Sequence, residues 1–534
     1  MKKWLAFLMA ALMLLPGWQA LGEGEIEWPE PAQGWTEPAE PALDLPLALE
    51  SEEPEPAQAS GNALAARGVE ISMENFPSND FRNYIRSQYD ADGDRLLSGE
   101  EIAAATQMDL GYLYIDDLRG LSLFTSLRTL KCNGVEGLEA LDLSGMESLT
   151  EVEATYNQIT RLDASGCTGL KRLNCAWNQL ESLKLSGCGK LTALDCSGNR
   201  LAKLDLSDAV GLKTLSCSRS EVKALKLPEK AKLTDVDCSS NFLEKLDLSG
   251  CPKLKELNCC NNRLTALDLR KLKRLTAVKC DGNQLAKGGL KLPTSSALKT
   301  LSCRNNPMTA LDVSGQGALK TLDCLGSGVK SLRLNLGLTA LYCGETKLER
   351  LDLSAQEALK CLDCTDAPVS SLTLGRKPSL QRLFISGCKL KKVDVSGCSD
   401  WIRAVLESHV YERSGGSWIS WRQGKKRGLV ADARTRFTDG SRTLYKPGKV
   451  KGVAFGSGEL TLKAGEKAAL RLELNPGWAA TACKFSVSDK SVVRVSRSAD
   501  AASLYSIRAM NPGTATITVR VESGKSAVLH VTVN

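Results

Sequence analysis

Apolar residues recur through the middle of this chain with a period of about 21 residues. A clean copy runs from Leu170 to Cys188. Self-similarity of this length predicts a solenoid, in which each unit buries its apolar face only against its neighbours. The units open at Leu127, Leu149, Leu170, Leu191, Leu212, Leu233, Leu254, Leu275, Leu298, Leu319, Leu338, Leu359 and Leu380.

Each unit contains two short alternations of apolar and polar residues, of the form Leu-x-x-Leu-x-Cys and Leu-x-x-Leu-Asp-Leu-Ser. Apolar residues spaced by two predict short strands. An Asn three residues after the Cys position is expected to turn inward and satisfy backbone groups of its own and adjacent turns. These residues are Asn157, Asn178, Asn199, Asn241, Asn262, Asn283 and Asn306. The position then changes to Ser327, Thr346, Ala367 and Cys388, which predicts less regular repeats towards the C-terminus.

Most of the 19 cysteines follow the repeat. One position is occupied by Cys132, Cys175, Cys196, Cys217, Cys238, Cys259, Cys280, Cys303, Cys324, Cys343 and Cys364. Stacked units place these side chains in one internal file, where parallel Cβ vectors suit a disulfide poorly. We expect small buried hydrophobes with mostly free thiols. A metal site is the alternative, but the file supplies no paired Cys-x-x-Cys knuckles apart from Cys361 and Cys364.

The core pattern resembles the leucine-rich repeat, Leu-x-x-Leu-x-Leu-x-x-Asn-x-Leu, with Cys at the third apolar site. It looks most like the repeats of bacterial surface proteins of the internalin kind. The resemblance implies a curved solenoid of about 13 coils over residues 121–398, with a concave strand that carries the binding surface. Aromatic and Arg side chains are common interface anchors. The candidate partner-binding residues are Tyr156, Trp177, Asp195, Arg219, Asp237, Arg304 and Tyr342.

Residues 67–120 carry a second motif. A helix is predicted after Pro77 with Ser78 as N-cap, and an acidic loop follows it. The loop resembles an EF-hand, with oxygen ligands for one Ca²⁺ from Asp90, Asp92, Asp94, Leu96, Ser98 and Glu101. Arg95 stands where the motif has Gly, and no second hand is visible to pair with this one. Ser98 and Glu101 also form a capping box, so they have a structural interpretation as well.

Two further segments follow the repeats. Residues 399–448 are predicted to cap the solenoid, with a helix over 401–406 and strands at 418–421 and 434–437. Seven predicted strands in 449–534 indicate an immunoglobulin-like sandwich. Segments such as Pro512–Val519 resemble bacterial immunoglobulin-like group 2 domains. The expected fold class is therefore mainly β: a small helical EF-hand-like cap, the leucine-rich repeat solenoid, and an immunoglobulin-like sandwich.

The N-terminus predicts export. Residues 1–22 have the charged start, apolar core and small residues of a signal peptide, and that core is too short to span a bilayer. Residues 23–66 form an acidic, proline-rich stretch that we interpret as a disordered linker. The formal net charge is +7, with an excess of Lys and Arg in 401–451 that could attract an anionic cell-wall polymer. A solvated basic surface is the alternative. We expect a secreted protein, and non-covalent association with the cell surface is compatible with this expectation.

No nucleophile motif, phosphate loop or metal-hydrolase motif is present, and the two histidines are far apart in the chain. The repeated Asp residues are explained by their place in the repeat, so we expect no enzymatic activity. The predicted function is extracellular recognition or adhesion, by a monomer that binds a protein or glycan ligand. Neither nucleic acid nor a transmembrane segment is expected. A passive spacer of the cell envelope is the alternative.

Overall fold

The computed structural model describes residues 68–293, 297–407, 410–413, 418–423, 427–432, 434–445, 450–470, 472–475, 481–497, 505–521 and 523–534. The predicted signal peptide and linker lie outside these residues. Within them, none of the helices is long and apolar enough to cross a membrane.

The repeats form a parallel β-solenoid of about 13 turns, as predicted. One strand of each turn joins a continuous parallel ladder, here called the first sheet, in which Leu173 pairs with Leu194 and Leu194 with Leu215. Each short strand buries its central apolar residue, and in most of the strands the residues on either side face outward. Asp323 and Cys361 are buried exceptions. The strands are Gln107–Asp109, Thr129–Lys131, Glu151–Glu153, Arg172–Asn174, Ala193–Asp195, Thr214–Ser216, Asp235–Asp237, Glu256–Asn258, Ala277–Lys279, Thr300–Ser302, Thr321–Asp323, Ala340–Tyr342, Cys361–Asp363 and Arg382–Ile385.

The second alternation of the repeat forms a separate set of short parallel strands. They pair in groups of two or three, unlike the continuous first sheet. The strands are Ala140–Asp142, Arg161–Asp163, Ser182–Lys184, Lys203–Asp205, Ala224–Lys226, Leu267–Asp268, Leu290–Lys291, Ala310–Asp312, Ser331–Arg333, Arg350–Asp352, Ser371–Thr373 and Lys392–Asp394. Their Asp residues hold the turn that follows: Asp205 Oδ1 accepts a hydrogen bond from the Ser207 N–H at 2.9 Å, and Asp312 does the same for Ser314.

The solenoid core is built from leucines and the cysteine file. All cysteines at the shared repeat position are fully buried and free. The predicted inward Asn file is confirmed by its contacts. The Asn178 amide donates to the carbonyl oxygen of Ala154 at 2.7 Å and to that of Cys175 at 3.1 Å, while its own oxygen accepts from the Ile159 N–H. Each such amide therefore ties one turn to the next.

The C-terminal turns are more regular than we expected from the loss of Asn. The first-sheet register continues unbroken from Leu341 through Leu362 to Leu383. Short hydroxyl side chains take over part of the role of the amide, because Ser327 and Thr346 donate to the carbonyl oxygens of the cysteines three residues before them.

The segment before the repeats contains two helices, α1 (Asn79–Gln88) and α2 (Gly99–Ala104), on either side of the acidic loop. The capping box of Ser98 and Glu101 is present at the start of α2. The Ser78 side chain makes no cap hydrogen bond to α1. Strand Gln107–Asp109 already pairs in parallel with Thr129–Lys131, so the ladder begins before the predicted boundary at residue 121. A 3-10 turn, Leu121–Leu123, follows.

After the repeats, α3 (Asp400–Glu407) is followed by strands Val410–Arg413, Trp418–Gln423, Arg427–Asp432, Arg436–Asp439 and Arg442–Tyr445. Arg427–Asp432 pairs in parallel with the last strand of the first sheet, and Arg436–Asp439 with Lys392–Asp394. Both ladders are thus continued by one strand. Each added strand then has an antiparallel partner, which changes the edge that a further parallel turn could extend.

The C-terminal segment contains nine strands among the described residues, where seven were predicted. They are Gly452–Phe455, Glu459–Leu462, Lys467–Leu470, Leu472–Asn475, Thr481–Val487, Val493–Arg497, Tyr505–Ala509, Gly513–Val521 and Ser526–Val533. The predicted strand over residues 468–474 is described in two parts with Arg471 outside the described residues, and Lys467–Leu470 pairs with Tyr505–Ala509 while Leu472–Asn475 pairs with Gly452–Phe455. Strands from different sheets, including Lys467–Leu470 and Gly513–Val521, share one apolar cluster. The immunoglobulin-like assignment stays a prediction.

Candidate functional site

The outer surface of the first sheet consists of two rows of side chains. The outer row N-terminal to each buried apolar residue includes Glu151, Arg172 and Asp235; the row after it includes Asp195 and Asp237. A groove of about 560 Å³ runs along these rows from Glu151 to Lys279. Small residues such as Ala193, Thr214 and Ala277 line part of it. The repeat therefore leaves a varied surface outside a uniform interior.

The predicted partner-binding residues Asp195 and Asp237 lie in this groove, but one carboxylate oxygen of each accepts a hydrogen bond from the backbone. Asp195 Oδ1 accepts from the Ser197 N–H at 3.0 Å, and Asp237 Oδ1 from the Ser239 N–H at 2.9 Å. The second oxygen of Asp237 accepts from the Asn258 amide at 2.9 Å. Both residues are half-buried. They shape the turn after the strand as well as the surface.

The groove carries more negative than positive charge between its ends. Arg172 makes a two-pronged ion pair with Glu151, at 2.8 and 2.7 Å. The row residues from the strand at 193 to the strand at 256 then include four carboxylates, those of Asp195, Asp235, Asp237 and Glu256, and no Lys or Arg. This acid-rich stretch differs in sign from the net charge of the whole chain.

Two of the predicted partner-binding residues, Tyr156 and Trp177, lie next to each other. The rings of Tyr156 and Trp177 are parallel, with an interplanar angle of 1° and centroids 6.1 Å apart. They lie in the turns that follow first-sheet strands, and Trp177 is 44% exposed. Partial burial and then the nearby Asp195 carboxylate raise the pKa of Tyr156. Because the two rings stack, each covers part of one face of the other.

The other predicted partner-binding residues do not join this pair in one cluster. Arg219 lies exposed on a turn two units beyond Trp177. Arg304 forms an ion pair with Asp323 at 2.5 Å, and its backbone N–H donates to Asp281. Tyr342 is half-buried, and burial raises the pKa of its hydroxyl to about 12.

Our sequence reasoning missed three residues of this surface. Glu151 and Arg172 escaped it because only the row after the buried residue was considered. Tyr112, which is 84% exposed, escaped it because the cysteine position of its turn is Leu110. The pairing of Met108 with Leu130 places Tyr112 in the same repeat position as Tyr156 and Trp177. Self-alignment that allowed Leu at the cysteine position could have found it.

No family model matches the chain, and the search of curated proteins gives no match. Solved structures of similar fold exist. One is the functional domain of InlJ from Listeria monocytogenes, described as including a cysteine ladder: 21% identity, 88% of this chain and 100% of that chain, TM-score 0.46. A second is an internalin, InlF, from the same species: 20% identity, 59% and 97%, TM-score 0.45. A third is YopM, a leucine-rich effector protein from Yersinia pestis: 21% identity, 62% and 87%, TM-score 0.40. Likeness at this level concerns the fold and carries no information about the ligand.

The acidic loop between α1 and α2 is a candidate cation site. Carboxylate oxygens of Asp90, Asp92 and Asp94 all lie within 4.8 Å of one another. Asp90 Oδ2 accepts from the Arg95 N–H at 3.2 Å, and Asp94 Oδ1 accepts from the Leu96 N–H at 2.7 Å. These bonds curl the loop so that its acidic side chains converge.

Two features show that the donor set fits a hard cation. Asp90 Oδ1 is buried without a hydrogen-bond partner, which is costly for a carboxylate oxygen. Arg95 has a φ of 68°, the left-handed conformation for which EF-hand loops have Gly. At this one position, Arg95 therefore adopts the conformation that the motif gives to Gly. Glu101 accepts from the backbone N–H groups of Ser98 and Ala91, and these bonds lower its pKa.

The loop also has a partner strand that the sequence did not reveal. Val69 pairs antiparallel with Leu97 and Glu70 with Leu96, immediately after the acidic residues. This short strand pair supports the loop where a second hand is missing among the described residues.

Proposed function

We propose that this chain is a non-enzymatic extracellular recognition protein that binds a protein or glycan ligand on the outer, concave surface of its first sheet. The observation that carries the proposal is the division of the repeat into a uniform interior and a varied exterior. Leucines, cysteines and inward amides recur in turn after turn, whereas the outer rows change from Glu151 to Ala193 to Asp235. The need to pack the core explains why the interior residues repeat, and the binding of a ligand explains why the outer residues vary.

Absence of catalysis is part of the proposal. The repeated Asp residues of the second set of strands could be mistaken for paired acid and base groups. Instead, Asp205 and Asp312 accept hydrogen bonds from the backbone two residues later, as do Asp142 and Asp352. Their regular structural bond supports a role in the turn and not in proton transfer.

The proposed setting is outside the cell. The predicted signal peptide supports secretion, and the basic segment 401–451 supports non-covalent attachment to an anionic cell-wall polymer. We expect a monomer. The alternative, a passive spacer in the envelope, does not account for the groove along Glu151–Lys279 or its varied lining.

We also propose that the loop holds one structural Ca²⁺. Side-chain oxygens of Asp90, Asp92 and Asp94, the carbonyl of Leu96, and Ser98 and Glu101 are the ligands in this proposal. The unpartnered oxygen of Asp90 and the left-handed Arg95 support it. The ion stiffens the loop and so steadies the N-terminal end of the solenoid.

The recognition proposal is tested by charge reversal on the outer rows. Full-length secreted protein is immobilised and offered purified mucin, fibronectin and peptidoglycan as separate probes. The double variant Asp235→Lys with Glu256→Lys should lose at least one probe that the parent retains. A matched pair of exposed acids away from the first sheet, Glu181→Lys with Glu244→Lys, should keep it. Identical retention by all three proteins, or retention of no probe by the parent, would count against the proposal.

A further inference from the structure

Two buried cysteines near the C-terminal end of the solenoid lie side by side. The sulfur atoms of Cys364 and Cys388 are 3.8 Å apart, and both thiols are free. Cys364 belongs to the cysteine file, whereas Cys388 stands three residues after Ile385, at the position where earlier turns have the inward Asn. The two residues therefore belong to successive turns but to different repeat positions.

Cys388 makes the contact that an inward Asn makes in other turns. Its thiol donates to the carbonyl oxygen of Cys364, 24 residues earlier in the chain, at 3.1 Å. The amide of Asn178 donates in the same way to the carbonyl oxygen of Ala154, also 24 residues earlier. This contact carries the side chain of Cys388 across to the preceding turn. A cysteine at the Asn position thus brings a second sulfur atom to the file.

Backbone hydrogen bonds fix the turn that carries Cys388. The Asp366 N–H donates to the carbonyl oxygen of Ser386 at 2.8 Å, and the Lys389 N–H donates to that of Val369 at 2.9 Å. Both bonds join the turn of Cys388 to the turn before it. The backbone therefore keeps the two sulfur atoms close.

The placement of the pair suits a covalent link better than that of equivalent cysteines. Cys167 and Cys188 occupy one repeat position in successive turns, and each thiol donates to the carbonyl oxygen 24 residues before it. Equivalent residues of stacked turns have parallel Cβ vectors, which suit a disulfide poorly. Cys364 follows a first-sheet strand and Cys388 lies in a turn, so the repeat imposes no parallel arrangement on them. A disulfide bond requires the two sulfur atoms to approach by about 2 Å.

The two thiols differ in their access to solvent. Cys364 is fully buried, whereas Cys388 is 8% exposed, so a small oxidant reaches Cys388 first. The contact with Cys388 and then burial raise the pKa of the Cys364 thiol. Because the thiolate is the species that attacks a disulfide, the reaction of this pair should become faster as the pH rises.

We propose that Cys364 and Cys388 are a redox-sensitive pair that a low-molecular-weight disulfide, such as oxidised glutathione, converts into a disulfide bond. The Cys388 thiolate attacks one sulfur of the oxidant, forms a mixed disulfide and releases one thiolate. The Cys364 thiolate then attacks the Cys388 sulfur and releases the second. Two protein thiols are oxidised and the oxidant is reduced to two small thiols, which take up the two protons.

The bond staples the last two regular turns of the solenoid to each other. Arg382–Ile385, in the turn of Cys388, is the last regular strand of the first sheet, and Arg427–Asp432 pairs with it. Each solenoid turn is held mainly by its neighbours, so the end of the coil is a place where opening begins. A covalent bond between the two turns limits opening from this end. The pair lies outside the groove from Glu151 to Lys279, so its test and the recognition test are independent.

The test is a peptide map of the full-length protein after incubation at pH 8.5 with oxidised glutathione, with reduced glutathione as the control. After thiol blocking and trypsin digestion, the parent should give peptides 361–376 and 383–389 linked together, about 2 Da lighter than the two free peptides. Cys388→Asn, which restores the usual residue of the repeat, should give no link. Cys361→Ser removes the other cysteine of the first peptide and should keep the link.

Hydrogen exchange measures the staple itself. Amides of peptide 383–389 should exchange about tenfold more slowly in the oxidised parent than in the reduced parent. Cys388→Asn should exchange equally in both conditions. The proposal is overturned if Cys364 and Cys388 remain thiols while the half-exposed Cys260 reacts, or if Cys388 stops at the mixed disulfide with glutathione. A link through Cys361, or unchanged exchange after oxidation, overturns it as well.

Discussion

The side-chain amide of Asn241 donates to the carbonyl oxygen of Cys217, one turn earlier, at 2.8 Å. It also donates to Cys238 in its own turn, and its oxygen accepts from the N–H groups of Ser220 and Val222. One buried side chain therefore satisfies backbone groups on both sides of a turn boundary. Because each solenoid turn contacts only its neighbours, such bonds connect otherwise separate units.

Replacing this amide should weaken the solenoid locally. Asn241→Ala leaves several buried backbone groups without partners, so we expect a loss of about 3 kcal/mol in the free energy of unfolding. Urea denaturation followed by circular dichroism measures it. The exposed neighbour Glu244 provides the control, and Glu244→Ala should change stability by less than about 0.5 kcal/mol. Equal effects of the two substitutions would contradict the role of the amide.

The buried thiols predict a loss of stability at high pH. Burial raises the pKa of Cys132, Cys238 and Cys324 to about 12, above the ordinary value of 9.0. Between these values the unfolded chain releases thiol protons that the folded chain keeps, so unfolding becomes more favourable as pH rises. Each such thiol contributes about 1.4 kcal/mol per pH unit.

Urea midpoints at several pH values test this effect. The midpoint should be nearly constant from pH 7 to 8.5 and fall steeply from pH 9 to 11, provided a reductant is present. The same series on a Cys238→Ala variant should show a shallower fall. A midpoint that does not change up to pH 11 would show that the file is not protected from solvent.

Calcium should bind once, in the loop between α1 and α2. We expect a single heat of binding with the full chain and a higher melting temperature with millimolar Ca²⁺, because the ion binds only the folded loop. Asp92→Asn and Asp94→Asn should each abolish both effects. Glu100→Gln, at a loop position that supplies no ligand, should change neither.

Arg95 gives a sharper test of the same loop. Its φ of 68° is left-handed, so Arg95→Gly should release strain and tighten Ca²⁺ binding. Calorimetry of the two proteins at equal ionic strength compares the affinities. Weaker binding by the Gly variant would mean that the loop is not an EF-hand site.

Glu345 tests the left-handed backbone at the second residue after the cysteine position, in a turn that has no aromatic residue there. It has a φ of 53° and an exposed side chain, so Glu345→Gly should stabilise the protein by about 1 kcal/mol. Glu349, also exposed but without positive φ, should respond in the opposite way, because Gly there only adds freedom to the unfolded chain. Thermal denaturation of both variants decides the point.

Features with a short repeat were predictable because each unit meets the same surroundings. Leu173, Cys175 and Asn178 each recur at fixed spacing, and their burial and strand pairing follow directly from that spacing. The capping box of Ser98 was predictable because its partner, Glu101, is only three residues away. Local spacing determines local geometry in these cases.

Contacts between distant or irregular segments were not predictable. The pairing of Val69 with Leu97 joins two short segments with no shared pattern. Nothing in the sequence marks that Lys467–Leu470 and Leu472–Asn475 pair with different strands. Which sheet each half joins depends on partners far away in the chain.

The sequence by itself determined the solenoid, its cysteine and Asn files, and the acidic loop, because repetition and short motifs act over a few residues. The tertiary structure alone decided how the surface is arranged. It placed Tyr112 at the same repeat position as Tyr156 and Trp177. It also paired Arg172 with Glu151, and it engaged one carboxylate oxygen of Asp195 in a backbone hydrogen bond. These relations depend on stacking turns about 20 residues apart into neighbouring positions, which is a property of the coil and not of the local chain.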